Sequence, residues 1–260
     1  MRLIDEYSLT AIPLTLLCRG HPIGMATSFF YSLQGHRYLV SNWHVFSGRN
    51  VYTGQANRPD AAIPDAIRIT LRLSEGIGKA KAYDLRLYDS NELPFWRQHK
   101  EGQEVDVAVL SCRKLPPEIQ PYDLPRGTDN QNMAFLIGMD AYILGYPKGI
   151  ASNKVLPIWK RASIATEPAL PHEGRSMVLL DTATREGMSG SPVFLRTFGG
   201  YQSSSGDQHL VVGPSTRFIG VYSGRYGGDD EFAAQLGRVW LQKTIDEVIL
   251  SGLPGSYELR

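Results

Sequence analysis

Apolar residues in this chain fall in short blocks. Runs rich in Val, Ile, Leu, Tyr and Thr recur, and clusters of Gly, Pro, Asn and Asp separate them. Such punctuation marks strands joined by turns. The pattern predicts strands over 9–18, 26–33, 38–42, 66–73, 83–88 and 107–112. Pro and Gly then dominate 116–127, and polar residues continue to Asn132, which reads as a linker. A second series is expected over 141–144, 158–166, 177–181, 192–195, 209–212 and 218–222. Gly and Ser crowd 197–206, which reads as an exposed, mobile loop. Val239, Ile245, Val248 and Ile249 show partial helical spacing and Gly252 is a stop, so a helix and tail are expected over 239–260. No solenoid-length repeat is present. Two series of about six strands suit two antiparallel six-stranded β-barrels, because closure removes exposed edges. The expected organisation is all-β: a barrel over 1–122, a second over 136–260, and a C-terminal helix.

Composition narrows the function classes. A chain of 260 residues can bury a large core. Its net charge of +1 gives no reason to expect nucleic acid or an electrostatic membrane contact. Cys18 and Cys112 read as free thiols, which fits a reducing compartment. Residues 9–18 are apolar and follow Arg2. Asp5, Glu6 and Pro13 interrupt them, and no small-x-small site follows, so they read as a strand and not an export signal. No apolar run reaches the ~18 residues of a membrane helix. The expected location is cytoplasmic, with no membrane contact. There is no His-x-x-x-His or Cys-x-x-Cys pair, and the Gly-rich segments lack a phosphate-binding Lys-Ser/Thr pattern, so neither metal nor cofactor is expected.

The chemistry is concentrated in three segments. Gly187-Met188-Ser189-Gly190-Ser191-Pro192 sets a serine between small residues ahead of a strand. A nucleophilic serine needs a tight turn with N–H groups aimed at a developing oxyanion, and glycine permits that turn. Leu39-Val40-Ser41-Asn42-Trp43-His44-Val45 is a strand ending in a histidine. Glu104-Val105-Asp106-Val107-Ala108-Val109-Leu110 puts an aspartate before an apolar strand. Together they read as a serine hydrolase. The other histidines, His21, His36, His99, His172 and His209, lack such context and read as surface or structural.

The chain order His44, Asp106, Ser189 matches the chymotrypsin-type arrangement. From about Gly24 to Trp240 the chain resembles the trypsin-like, chymotrypsin-fold serine peptidases. Within them it is most similar to the bacterial glutamyl-endopeptidase-like branch, whose serine motif also reads Gly-x-Ser-Gly-Ser-Pro. Ser41-Asn42-Trp43-His44-Val45 stands for the family's Thr/Ala-Ala/Asn-x-His pattern, and Gly145-Tyr146-Pro147-Lys148-Gly149 is similar to a turn frequent in this branch. The resemblance implies a serine endopeptidase with a polypeptide substrate. Ser189 would be the nucleophile, His44 the base and Asp106 its orienting partner. The N–H groups of Gly187 and Ser189 would form the oxyanion hole.

The resemblance also places a primary pocket between 181–186 and 220–225, with Thr184, Tyr222, Ser223 and Gly224 as substrate-binding residues. Ala183 occupies the position of the aspartate in enzymes cleaving after Arg or Lys, six residues before Ser189. Thr184 fits the glutamyl endopeptidases, whereas Tyr222 stands where they use a histidine. Tyr222 either offers a hydroxyl to the substrate or packs as a strand tyrosine. Arg225 either pairs with an acidic substrate or is an exposed structural arginine. An acidic or small-polar P1 residue is the resulting expectation.

Two departures from the family pattern stand out. Ala26-Thr27-Ser28 replaces the Gly-Thr/Ser-Gly approach to the histidine, with an effect on strand packing. Glu186 replaces a glycine before Gly187 and either brings a carboxylate to the loop or faces solvent. If that loop is not preformed, the site would be latent until substrate or a regulatory protein partner orders it. The alternatives are a catalytically inactive protease fold used as a binding module, and an esterase with the same triad.

Overall fold

Hairpin turns set up the first half of the chain. The computed structural model describes residues 4–76, 78–226 and 235–256. Strands β1 (Ala11–Cys18), β2 (His21–Leu33) and β3 (His36–Ser41) follow one another as antiparallel neighbours. Arg19-Gly20 and Gln34-Gly35 link them, and all four residues have positive φ. That geometry matches the right-handed twist of the strands it joins. A short helix α1 (Trp43–Ser47) follows β3. Next come β4 (Ala66–Arg72), β5 (Ala80–Arg86), β6 (Trp96–Gln98) and β7 (Ala108–Ser111).

The second half contains β8 (Asp140–Gly145), β9 (Ile158–Ile164), β10 (Met177–Asp181), β11 (Pro192–Gln202), β12 (Gln208–Arg225) and β13 (Leu236–Leu241). Helix α2 (Gln242–Ser251) and a two-residue β14 (Leu253–Pro254) complete it. These strands close into a barrel in the order β10-β13-β12-β11-β8-β9. The first half forms an eight-stranded sheet in the order β14-β6-β7-β3-β2-β1-β4-β5. The chain therefore adopts the expected mostly-β, chymotrypsin-like architecture with a C-terminal helix. The first sheet holds eight strands where six were expected: β1 to β7 make seven, and β14 returns from the C-terminal end to pair with β6.

Two local expectations are corrected. The segment 197–206 is mostly strand: β11 runs to Gln202 and pairs with β12, with Gly200 opposite Leu210 and Gln202 opposite Gln208, and only the residues between Gln202 and Gln208 form the turn. Gly199 and Gly200, at φ +79° and +156°, absorb a bulge there and let the ladder continue. Val239 is not helical either. It lies in β13 opposite Val178, and the helix begins at Gln242.

Among the described residues three apolar clusters hold the molecule. One fills the first sheet around Leu39, Phe46, Ile67 and Trp96. Another fills the barrel around Ile143, Val178, Met188 and Tyr222. The third joins the halves, with Phe29 and Tyr31 packing against Phe194, Phe218 and Trp240. In this cluster Phe29–Phe218 and Tyr7–Phe194 meet edge-on at 5.6 and 5.0 Å, worth about 0.5–1.5 kcal/mol each beyond burial. From α2, Ile245, Val248 and Ile249 add to it beside Val105, Val107 and Val109. The cleft between the halves is thus framed by packed core on both sides. Cys18 and Cys112 are free thiols, and burial pushes the Cys112 thiol up to about 11. Among the described residues no helix is long and apolar enough to cross a membrane.

Candidate active site

His44 is fixed by its surroundings before its ring is considered. It sits in α1, whose turn ends at Gly48 in the left-handed region, with the Gly48 N–H donating to His44 O. The preceding Trp43 is buried, and its indole N–H donates to Gln98 Oε1 at 2.7 Å. Asn42 is fully buried and its Nδ2 donates to the Asp106 carbonyl at 2.8 Å. The loop ahead of β7 is thereby tied to the end of β3.

Asp106 uses both carboxylate oxygens on His44. The His44 backbone N–H donates to Oδ1 at 2.9 Å, and Nδ1 lies 2.8 Å from Oδ2. The aspartate is 1% exposed. A carboxylate accepts only, so this contact assigns the proton to Nδ1 and leaves Nε2 as an acceptor.

Ser189 belongs to the second half and faces the same cleft as His44, a cavity of about 740 Å³. Its Oγ has no hydrogen-bond partner among the described residues and lies beside Gly224, where an added Cβ would stand 3.8 Å away. Bonds of this kind are often long in unliganded sites and tighten around a reacting group. Met188 is fully buried in the barrel core and anchors the turn from below.

The backbone groups around Ser189 divide sharply. Every carbonyl from Glu186 to Ser189 is held. Lys148 N donates to Glu186 O at 2.7 Å, Thr27 Oγ1 to Gly187 O at 2.8 Å, Ser191 N to Met188 O at 3.1 Å, and Thr27 N to Ser189 O at 2.8 Å. The Met188 N–H donates to Arg185 O and the Gly190 N–H to Tyr222 O. The N–H groups of Gly187 and Ser189 make no hydrogen bond among the described residues. A peptide's C=O and N–H point in opposite directions. With Glu186 O turned toward Lys148, the Gly187 N–H therefore points away from the 146–148 turn. Gly187 has φ +92°, and a Cβ there would strike Tyr146 O, so the close approach requires glycine.

Most of the other expected residues reach the cleft. Thr184, Tyr222, Gly224 and Arg225 all line it, and Glu186 lines it as an exposed residue. Thr184 and Tyr222 are buried and their hydroxyls hydrogen-bond each other. Burial pushes the Tyr222 hydroxyl up to about 12, against the lowering effects of the Thr184 bond and of Arg225 and Arg238. Its ring lies over Gly237, where a Cβ would overlap it. Ser223 is 3% exposed and is not among the residues lining the cleft, and its hydroxyl has no partner among the described residues. Thr27, Asn42 and the Lys148 turn were absent from the expected site. Thr27 and Gly187 are 160 positions apart, a contact no local pattern announces. The five remaining histidines have no part in the cleft; His99 is buried and lies 3.6 Å from Glu247 on α2. Among the described residues no cluster of three or more His, Cys, Asp or Glu side chains could hold a metal ion.

The family profile of the trypsin-like peptidase domain matches residues 26–199, more than half of the chain. The chain belongs to this family. It is a serine-type peptidase, and a peptidase acts on polypeptides. Among solved structures it is similar to the protease Anisep from Arthrobacter nicotinovorans, with 12% identity, 92% of this chain and 93% of that one covered, and a TM-score of 0.51. It is also similar to the thermostable serine protease AL20 from an extremophilic microorganism, with 11% identity, 94% and 97% covered, and a TM-score of 0.50. Likeness at these identities is a likeness of fold. Comparison with curated protein sequences gives no match. The matched residues include His44, Asp106 and Ser189 of the peptidase, along with Thr27 and the 145–149 turn.

Proposed function

We propose that the peptidase is an endopeptidase working through Ser189, His44 and Asp106 and an acyl-enzyme. Residues 1–122 would act as the domain carrying the base and its partner, and 136–260 as the domain carrying the nucleophile. Ser189 Oγ attacks the scissile carbonyl as His44 Nε2 takes its proton. His44 then returns that proton to the leaving amine, and a water molecule activated the same way releases the acyl group. Asp106 holds the tautomer and offsets the imidazolium charge. The oxyanion of each tetrahedral intermediate lies against the N–H groups of Gly187 and Ser189, where losing one donor costs about 10²–10³ in rate.

The observation that carries this reading is the pair of unspent N–H groups in a loop whose carbonyls are all held. That arrangement supports a loop that needs no rearrangement to receive an oxyanion. A regulatory protein would therefore act by blocking the cleft and not by assembling the site. The experiment is cleavage of an internally quenched peptide library by the unmodified peptidase and by Ser189→Ala. Turnover lost in the variant supports the reading, and equal turnover contradicts it.

For the primary pocket we propose an acidic or small-polar P1 residue, with Thr184, Tyr222, Ser223 and Gly224 as its contacts. The Tyr222 ring over Gly237 leaves little depth for a long side chain. Tyr222 stays protonated at neutral pH. In the Thr184–Tyr222 pair one O–H is spent on the other oxygen, which leaves one to donate. Among the described residues Lys148 and Arg185 line the cleft beside Glu186, and their charge supports acidic peptides.

A further inference from the structure

Thr27 lies on β2, in the first sheet, and is fully buried. It reaches across to the loop of the second half that carries Ser189 and bonds it twice. Its N–H donates to Ser189 O and its hydroxyl to Gly187 O, each at 2.8 Å. The same hydroxyl accepts the Tyr146 N–H at 3.3 Å. Its own carbonyl accepts the Ser41 hydroxyl at 2.9 Å, from the residue ending β3. Gly190 makes room for this contact, since a Cβ there would overlap Thr27 O and Ser41 Oγ.

These bonds meet a conformational need. Gly187 has no side chain to bias its flanking peptides, and glycine tolerates several backbone orientations. Turning the 186–187 peptide over would bring Glu186 O where the Gly187 N–H now points, and an oxyanion would meet a carbonyl. One hydrogen bond opposes that rotation directly, Lys148 N on Glu186 O, and a second, Thr27 Oγ1 on Gly187 O, fixes the next peptide so that the two cannot turn together. Thr27 also ties the 146–148 turn to this loop through Tyr146 N, so its hydroxyl supports both. Lys148 itself sits at φ +50°, a conformation a lone lysine disfavours and one that a well-held turn sustains.

We propose that Thr27 is a positioning residue, its hydroxyl keeping the oxyanion hole in its working orientation. In Ala26-Thr27-Ser28 the two outer glycines of the family pattern are replaced while the central hydroxyl residue is kept, and it is this hydroxyl that serves the site. This inference rests on the reading of Ser189 as nucleophile and of Gly187 and Ser189 as oxyanion donors. Thr27 touches no reacting atom; it acts through Gly187.

The test compares the unmodified peptidase with Thr27→Val, which keeps the shape and loses the hydroxyl, and with Thr27→Ser, which keeps the hydroxyl. Each is assayed on an internally quenched peptide that the unmodified peptidase cleaves. Each is also titrated with a peptide aldehyde, whose adduct with serine carries the oxyanion. Thr27→Val should lose about tenfold or more in kcat at near-constant KM, and aldehyde affinity should fall by a similar factor. Thr27→Ser should stay within about threefold of the unmodified peptidase on both measures. A purely structural threonine would leave kcat and aldehyde affinity of the folded variant unchanged, and that result overturns the proposal. So does a Thr27→Ser variant as impaired as Thr27→Val. If Thr27→Val does not fold, Thr27→Ala takes its place under the same criteria. An unmodified peptidase that cleaves nothing in the library is a separate result, which overturns the nucleophile assignment and the clamp with it.

Discussion

Replacing Asp106 with Asn gives a sharp prediction because both carboxylate oxygens are already engaged. Oδ1 receives the His44 backbone N–H and Oδ2 faces Nδ1. An asparagine has one acceptor and one NH₂ group to fill these two places. The backbone N–H of His44 can only donate, so it claims the amide oxygen. The NH₂ group is left against Nδ1, which must then accept, and the ring proton moves to Nε2. In that tautomer the nitrogen facing Ser189 cannot take its proton. Loss of the correct tautomer costs about 10⁴ in kcat in related triads, or roughly 5 kcal/mol of transition-state stabilisation. The fold should survive, because the volume is unchanged and Asn42 bonds the backbone carbonyl of residue 106, not its side chain. The assay is kcat at neutral pH on a cleaved peptide, with a thermal melt as control. An Asp106→Asn variant keeping more than about a tenth of kcat would refute the tautomer argument.

Tyr222→Phe removes one hydroxyl of the Thr184–Tyr222 pair and with it the pair's fixed donor, so kcat/KM for peptides with acidic or small-polar P1 residues should fall about tenfold or more. A P1 profile of the variant identical to that of the unmodified peptidase would contradict the assignment. Asp246 on α2 accepts the Tyr31 hydroxyl at 2.6 Å, yet burial raises its pKa above the ordinary carboxylate range. Its ionisation therefore costs stability above that raised pKa, and the cost vanishes at pH below the unfolded value. Asp246→Asn should raise Tm at neutral pH, with the gain shrinking as the pH falls toward 4. A Tm difference independent of pH would count against this account.

The sequence carried more of the chemistry than of the connections. Strand β10 was legible to the residue, because Met177–Leu180 is a continuous apolar run closed by Asp181 and set between polar turns. His44, Asp106 and Ser189 each announce themselves by local motif, and the fold brings His44 and Ser189 to one cleft with Asp106 buried against His44. What stayed hidden depends on distant partners. The three-residue β6 and the two-residue β14 exist because each has an edge to pair with, and neither has a pattern of its own. Glycines at 199 and 200 signal a loop locally, whereas the ladder across to Leu210 makes them a bulge within a hairpin. Val239 fitted a helical period by chance of spacing with Ile245 and Val248, and its pairing with Val178 decided otherwise. Thr27 lay beyond reach for the same reason, since its value is set by the loop at 187–189.

The central claim is that Ser189 is an activated nucleophile in a preformed site. The most direct measurement is intact-mass and peptide-level mapping of fluorophosphonate labelling at neutral pH, on the unmodified peptidase, Ser189→Ala and His44→Ala. The account predicts one adduct, on Ser189, formed without any partner and lost in both variants. No adduct on the folded, unmodified peptidase, or an adduct that persists in Ser189→Ala, would contradict it.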